Sequence, residues 1–234
     1  MTMQKYLNAP FRVEKPVSGL TIVQVAPGAT VPPHSHDEGY IVVPFLPATV
    51  ERLTHYNNQV INREALTLLP FVPYYVDATK VDQTISLKNT GTGVSAFQKI
   101  VPKPPIKGPQ PELPTEKIAI VGKEKRRHDF IVEMAVTLME QAVGLMFRPH
   151  LASDHGMLFV WSAPREVAMY MRNTLVSLDF LFIDQNYRIA HIHENAVPGD
   201  QAPIHSQGKV ILTLEVPGGT AARLGLAKGD AIID

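Results

Sequence analysis

The stretch VPKPPIKGPQPELPTEK, residues 101–117, constrains this chain more than any other. It holds Pro102, Pro104, Pro105, Pro109, Pro111 and Pro114, six of the chain's 20 prolines. Each proline removes an amide donor and fixes φ, so the run cannot sit inside a helix or a central strand. It favours extended polyproline II geometry and reads as a semi-rigid linker, with a reach of about 40 Å at ~3.1 Å per residue. A chain of 234 residues cut there gives two pieces of ordinary domain size. The expected plan is a first domain over 1–101, a Pro-rich linker over 102–115 and a second domain over 116–234. No internal repeat is visible.

Residues 1–101 read as strands throughout. GLTIVQVAP, YIVVPFLPATVERLTHY, EALTLLPFVPYYV, QTISLKNTG and VSAFQKIV are short β-rich runs, parted by Gly, Pro and Asn at close spacing. No window of helical period competes, so the pattern predicts an antiparallel sandwich or small barrel. Residues 116–234 mix element types. FIVEMAV, GMLFVW, VAMYMR, LDFLFID, YRIAHIH and KVILTLEV read as strands. TLMEQAVGLM reads as a short helix, with Thr137 and Glu140 at capping-box spacing. TAARLGL reads as a second, with Thr220 as its N-cap after Gly218 and Gly219. The expected fold class is mainly β: a barrel, then a compact, mostly antiparallel α+β unit.

Charge and composition exclude several function classes. Lys and Arg balance Asp and Glu, the net charge is +0 and the pI about 7.1, so nothing points to nucleic acid or an acidic lipid surface. The one basic cluster, KEKRR at 123–127, reads as a solvated turn. No cysteine is present, which removes disulfides, thiolate nucleophiles and cysteine metal sites. The N-terminal MTMQKYLNAPFRVEKP lacks an apolar signal core, and no run of about 20 apolar residues exists. The expectation is a cytoplasmic protein with no membrane partner. No P-loop, nucleotide fingerprint, G-x-S-x-G elbow or H-E-x-x-H motif appears.

In PPHSHDEGY, His34 and His36 stand one residue apart; on a strand, residues i and i+2 share a face. Gly28, His34 and His36 resemble the first motif of the cupins, over about residues 15–101. The resemblance implies a double-stranded β-barrel whose two histidines share a metal with a glutamate and a third histidine. The motif's glutamate would fall at Tyr40 or Ile41, and its later histidine at Gln83 or Asp82. Two imidazoles alone hold a divalent ion weakly, since metal sites ordinarily use three or more protein ligands. The expected cofactor is therefore none, or a weakly bound divalent metal on His34 and His36, with His55, Glu38, Asp82 or Gln83 open as further ligands.

In the second domain GLMFR, GMLFVW, MYMRNT, LDFLFID and GGTAARLGLAKGD resemble, in order and spacing, domain-of-unknown-function family 192, over about residues 118–234. That resemblance implies a small β-rich fold without an established activity. Within it, Arg172, Asn173, Thr174 and Asp179 are polar residues among apolar runs. Two readings stay open: a buried Arg–Asp pair fixing the loop, or the lining of a pocket for a small polar ligand. Asp179 is expected to accept from Arg172 or from amides of 172–176, since buried polar groups need partners. Arg172, Asn173 and Asp179 are the candidate ligand contacts. Met146, Met157, Met169 and Met171 suit copper(I) or ordinary core filling. His191, His193 and Glu194 repeat the same-face geometry and read by default as exposed strand residues beside polar turns, with His205 open as a third ligand.

These observations together predict a two-domain protein without assigned catalytic residues, binding a small molecule or organising an assembly, and forming a homodimer through its first domain. Two alternatives stand beside it: a metal-dependent cupin enzyme of isomerase or oxygenase type using His34 and His36, and a pure interaction module.

Overall fold

The computed structural model describes residues 21–34, 40–57, 59–70, 72–76, 83–100, 107–122 and 125–234. The chain divides into two compact units, one over Val13–Lys107 and one that includes Gly108–Asp234.

Among its described residues the first unit is built of strands: β1 (Thr21–Val25), β2 (Thr30–His34), β3 (Tyr40–Pro44), β4 (Ala48–Tyr56), β5 (Gln59–Leu68), β6 (Tyr74–Val76), β7 (Gln83–Asn89) and β8 (Ser95–Ile100). They form two four-stranded sheets, ordered β1-β8-β3-β6 and β2-β7-β4-β5. Every connection crosses from one sheet to the other except the β4–β5 hairpin. This alternation winds the double-stranded barrel that the cupin resemblance implied. The strand β3 is buried along its whole length, and Ile41, Val50 and Ile85 lie in the core. Asn89 ties the end of β7: its Nδ2 donates to the carbonyls of Val25 and Gly93, each at 2.8 Å, and its Oδ1 accepts from the Gly91 amide at 3.0 Å.

The second unit contains β9 (Thr115–Val121), β10 (Arg127–Ala135), α1 (Leu138–Val143), β11 (His155–Arg165), β12 (Ala168–Met169), β13 (Leu178–Ile183), β14 (Ile189–Ala196), β15 (Ile204–His205), β16 (Val210–Pro217), α2 (Thr220–Leu224) and β17 (Ala231–Ile233). Seven strands make one sheet, ordered β14-β13-β16-β11-β10-β9-β17, and β12 pairs with β15 apart from it. All neighbours in the large sheet are antiparallel except β10 and β11. A parallel pair needs a crossover, which α1 and the loop to His155 provide. Central β13 and β16 are buried on both faces, so their sequences lose the apolar–polar alternation of a half-exposed strand. One face carries Leu158, Leu181, Leu214 and Val216, which pack with Ala221 of α2 and Leu226. Among the described residues no helix is long and apolar enough to cross a membrane.

Residues 102–106 of the expected linker lie outside the described residues. The part from Gln110 onward is bonded to the second unit. Gln110 Nε2 donates to the Gly144 carbonyl at 2.9 Å, the Leu113 amide to Glu133 Oε2 at 2.8 Å, and the Met134 amide to the Pro114 carbonyl at 3.0 Å. The Thr137–Glu140 capping box forms as expected, with both reciprocal bonds present. At α2 the expectation is corrected. Gly219, at φ 80°, is the capping residue and Thr220 is the first helical one, because the acceptor for the helix's free amides arrives from β13. VAMYMR gives only the two-residue β12, since the backbone of Met171 bonds instead to Asp200 and Gly199.

Candidate functional site

In the first unit, His36, Glu38 and Asp82 lie outside the described residues. His34 ends β2, its backbone in register with Ile85 of β7, which is in turn opposite Thr54 of β4. His55 follows Thr54 and therefore takes the other face of the sheet. There its Nε2 lies 2.8 Å from Ser86 Oγ. Among the described residues no three His, Asp or Glu side chains gather into a metal-binding set.

In the second unit, Arg172, Asn173 and Asp179 are not brought together. Asp179 sits on β13 on the face of Leu181, under α2, and is fully buried. Its Oδ1 accepts from the amides of Asn195 at 2.8 Å and Gly219 at 3.0 Å, and its Oδ2 from Ala221 at 2.8 Å. The expected donors, Arg172 and the amides of 172–176, are thus replaced by β14 and the start of α2. The carboxylate closes a helix N-terminus whose own residues supply no side-chain cap. Arg172, 9% exposed, donates to Gln201 Oε1. Asn173, in the left-handed region at φ 55°, accepts from the Phe147 amide at 2.8 Å, and its Nδ2 meets Met146 Sδ at 4.0 Å. Asn173 thus braces the turn after α1, while Arg172 is tied to the loop of Gln201.

That turn covers the other face of the large sheet. Gly144 packs so closely on Phe159 that an added Cβ would lie 3.1 Å from the ring. Gln141 Nε2 holds the Val160 carbonyl at 2.8 Å. Beneath this cover, cross-strand register sets His193, Phe180, Glu215, Met157 and Glu133 in one row, from β14 through β13, β16 and β11 to β10. The next row is His191, Phe182, Thr213, Phe159 and Ala135. Phe182 stacks on His191 at 5.7 Å, Phe180 meets His193 edge-on at 6.4 Å, and Phe159 stacks on Trp161 at 6.0 Å. Trp161 Nε1 donates to Thr213 Oγ1 at 3.1 Å.

Glu215 stands in the middle of this face. It is 5% exposed, flanked in register by Phe180 and Met157, and its carboxyl has no hydrogen-bond or ion-pair partner among the described residues. Burial in these apolar surroundings pushes it up to about 8, so it is a neutral acid at pH 7. Glu133, at the end of the row, is by contrast engaged by Arg148 at 2.9 Å and the Leu113 amide at 2.8 Å. On the outer strand, burial first, then the charges of His193 and Lys228, lower the His191 imidazole below the ordinary histidine range. The sequence reading missed Glu215. Its signal was present: Thr213 and Glu215, two apart, are the polar residues of the otherwise apolar VILTLEV.

Comparison with known proteins bears mainly on this second unit. The family model DUF192, described as uncharacterized ACR, matches residues 119–233. A proposed transcription regulator from Sinorhizobium meliloti is 41% identical over 53% of this chain and 96% of its own, with a TM-score of 0.52. A protein of unknown function from Novosphingobium aromaticivorans is 39% identical over 52% of this chain and 86% of its own, with a TM-score of 0.51. A cupin domain from Bordetella pertussis aligns with 38% of this chain and 85% of its own at 18% identity, with a TM-score of 0.30. No curated protein matches the chain.

Proposed function

The chain belongs, through residues 119–233, to the DUF192 family, and from that premise we propose that its family domain is a non-catalytic module that binds a small, largely apolar molecule on the sheet face around Glu215. Glu215 carries the reading. A buried carboxyl without a partner costs stability, and a leucine or methionine in its place would pack without that cost. Groups kept against the interest of the fold concentrate where a ligand completes them. Small-molecule sites share the composition of this face, apolar and aromatic walls with a few polar groups that fix orientation. Asn173 enters as a brace of the covering turn and Arg172 as a tie to Gln201, while Asp179 serves the opposite face.

The test is a screen of small aromatic fragments against the full chain, followed by amide chemical shifts. The expected result is a family of fragments whose shifts concentrate on Met157, Phe180, Thr213 and Glu215. Shifts confined to other parts of the chain would sink the reading.

A further inference from the structure

We propose that the ligand taken at Glu215 is an organic cation, an ammonium on an aromatic or alkyl body, which binds as an ion pair with the Glu215 carboxylate. The inference rests on the binding reading above and adds the chemical class. It starts from what faces Glu215. In register on one side is the ring of Phe180, on the other the thioether of Met157. In the adjoining row Thr213 Oγ1 already accepts from Trp161, and Phe182 and Phe159 flank it. Ring faces carry negative potential and attract ammonium groups, sulfur is soft and polarizable, and the carboxyl supplies the counter-charge.

Cations native to the neighbourhood are already engaged or lie farther out. Arg148 is paired through Nη2 with Glu133, one strand beyond Met157, while its Nε has no hydrogen-bond partner among the described residues, and Arg172 is held by Gln201. His193 stands beyond Phe180, and His191 in the next row toward Lys228. His155, two residues before Met157 on β11, is 2.7 Å from Asp154. A ligand that was itself an acid would bring a second carboxyl to a site with no cation in register beside it, since the charge of Arg148 is paired to Glu133, one strand beyond Met157. A cation supplies what Glu215 lacks.

Binding an ammonium to the carboxylate requires Glu215 to release its proton to solvent. Burial holds the carboxyl up at about 8. Its ionised fraction rises from roughly one in a hundred at pH 6 to one in two at pH 8, so affinity rises about 50-fold over that range.

The probes are phenethylamine, cationic throughout this range, and phenethyl alcohol, its neutral counterpart of similar shape. Trp161, the chain's one tryptophan, lies on this face and reports binding by fluorescence, with amide shifts as a second readout. The expected result is that phenethylamine binds the native chain, about 50-fold tighter at pH 8 than at pH 6. Calorimetry in buffers of different ionisation heat should show the proton release. The isosteric Glu215→Gln variant should bind it weakly and without pH dependence. If phenethyl alcohol binds at this face as well as the amine does, or if the amine's affinity is flat in pH, the cation assignment is overturned and the ligand site stands. If neither probe perturbs the face while the chain is folded, the inference falls together with the reading beneath it.

Discussion

Between about pH 4.5 and 8 the Glu215 carboxyl is ionised in the unfolded chain and protonated in the folded one, so folding takes up a proton. Below that window both states are protonated and the group does not weigh on stability. As pH rises through it, stability falls, by an amount of order 5 kcal/mol once the window is passed. Glu215→Gln is free of this loss. It should match the native protein near pH 4 and exceed it by about 3 kcal/mol at pH 7, in urea unfolding followed by Trp161 fluorescence. A difference that does not change with pH would mean the carboxyl is compensated after all. Asp179 is the opposite case, a buried carboxylate with three amide donors. Asp179→Ala strands those amides and should cost about 3 kcal/mol in the same assay, with α2 loosened first in hydrogen exchange. In the sequence the two carboxylates look alike, each a lone acid in an apolar strand. What separates them is the origin of their partners: Gly219 and Ala221 lie 40 and 42 positions from Asp179. No local pattern encodes that distance, which is why the loop amides of 172–176 were the natural but wrong donors to expect.

Among the elements, local chemistry was legible where it was self-contained. The capping box of α1 needs only Thr137 and Glu140 and forms as its spacing predicts. The cap of α2 needs another strand, so Thr220 misleads. VAMYMR has the composition of a strand but gives up most of its length, because loop residues 199–200 take the backbone bonds of Met171. Fold class was the most readable property, since alternation and turn residues report on strands one at a time. The sheet order was not readable, because it is fixed by contacts between distant strands. One such contact is Gly156. A Cβ there would lie 2.5 Å from the Glu215 carbonyl oxygen and 3.2 Å from side-chain atoms of both Leu214 and Val216. The glycine lets β11 approach β16 closely enough to seat Met157 beside Glu215. Gly156→Ala should therefore push the pair apart and cost about 1–3 kcal/mol. The measurement that distinguishes this from a uniform loss is amide exchange. Protection should fall at residues 157–160 and 212–215 before it falls in β9 or β17.

On the scale of the whole molecule, the sequence expectation of a homodimer has a defined place to act. In the first unit β5 is an edge strand, paired to β4 on one side and carrying free backbone groups along the other among the described residues. It is exposed over Gln59–Arg63, with Ile61 54% and Val60 39% exposed. A long edge with apolar residues invites another strand, and monomers ordinarily guard such edges with charge, proline or a bulge. β5 has charge only at Arg63 and Glu64, which ion pairs with Glu51 and Arg52 of β4 engage, and its bulge at Ile61 leaves residues 62–68 in regular register with β4. Two copies joined antiparallel along β5 would merge their β2-β7-β4-β5 sheets into one of eight strands, hiding both edges by a two-fold axis. The expected outcome is a dimer mass for the full chain in light scattering at micromolar concentration. Ile61→Lys should shift it to the monomer, since a lysine on the edge burdens the pairing with a desolvated charge in each copy. The second unit serves as the control, because Trp161 fluorescence should be the same in both forms. A native chain that is monomeric at these concentrations, or a dimer indifferent to Ile61→Lys, would remove β5 as the interface.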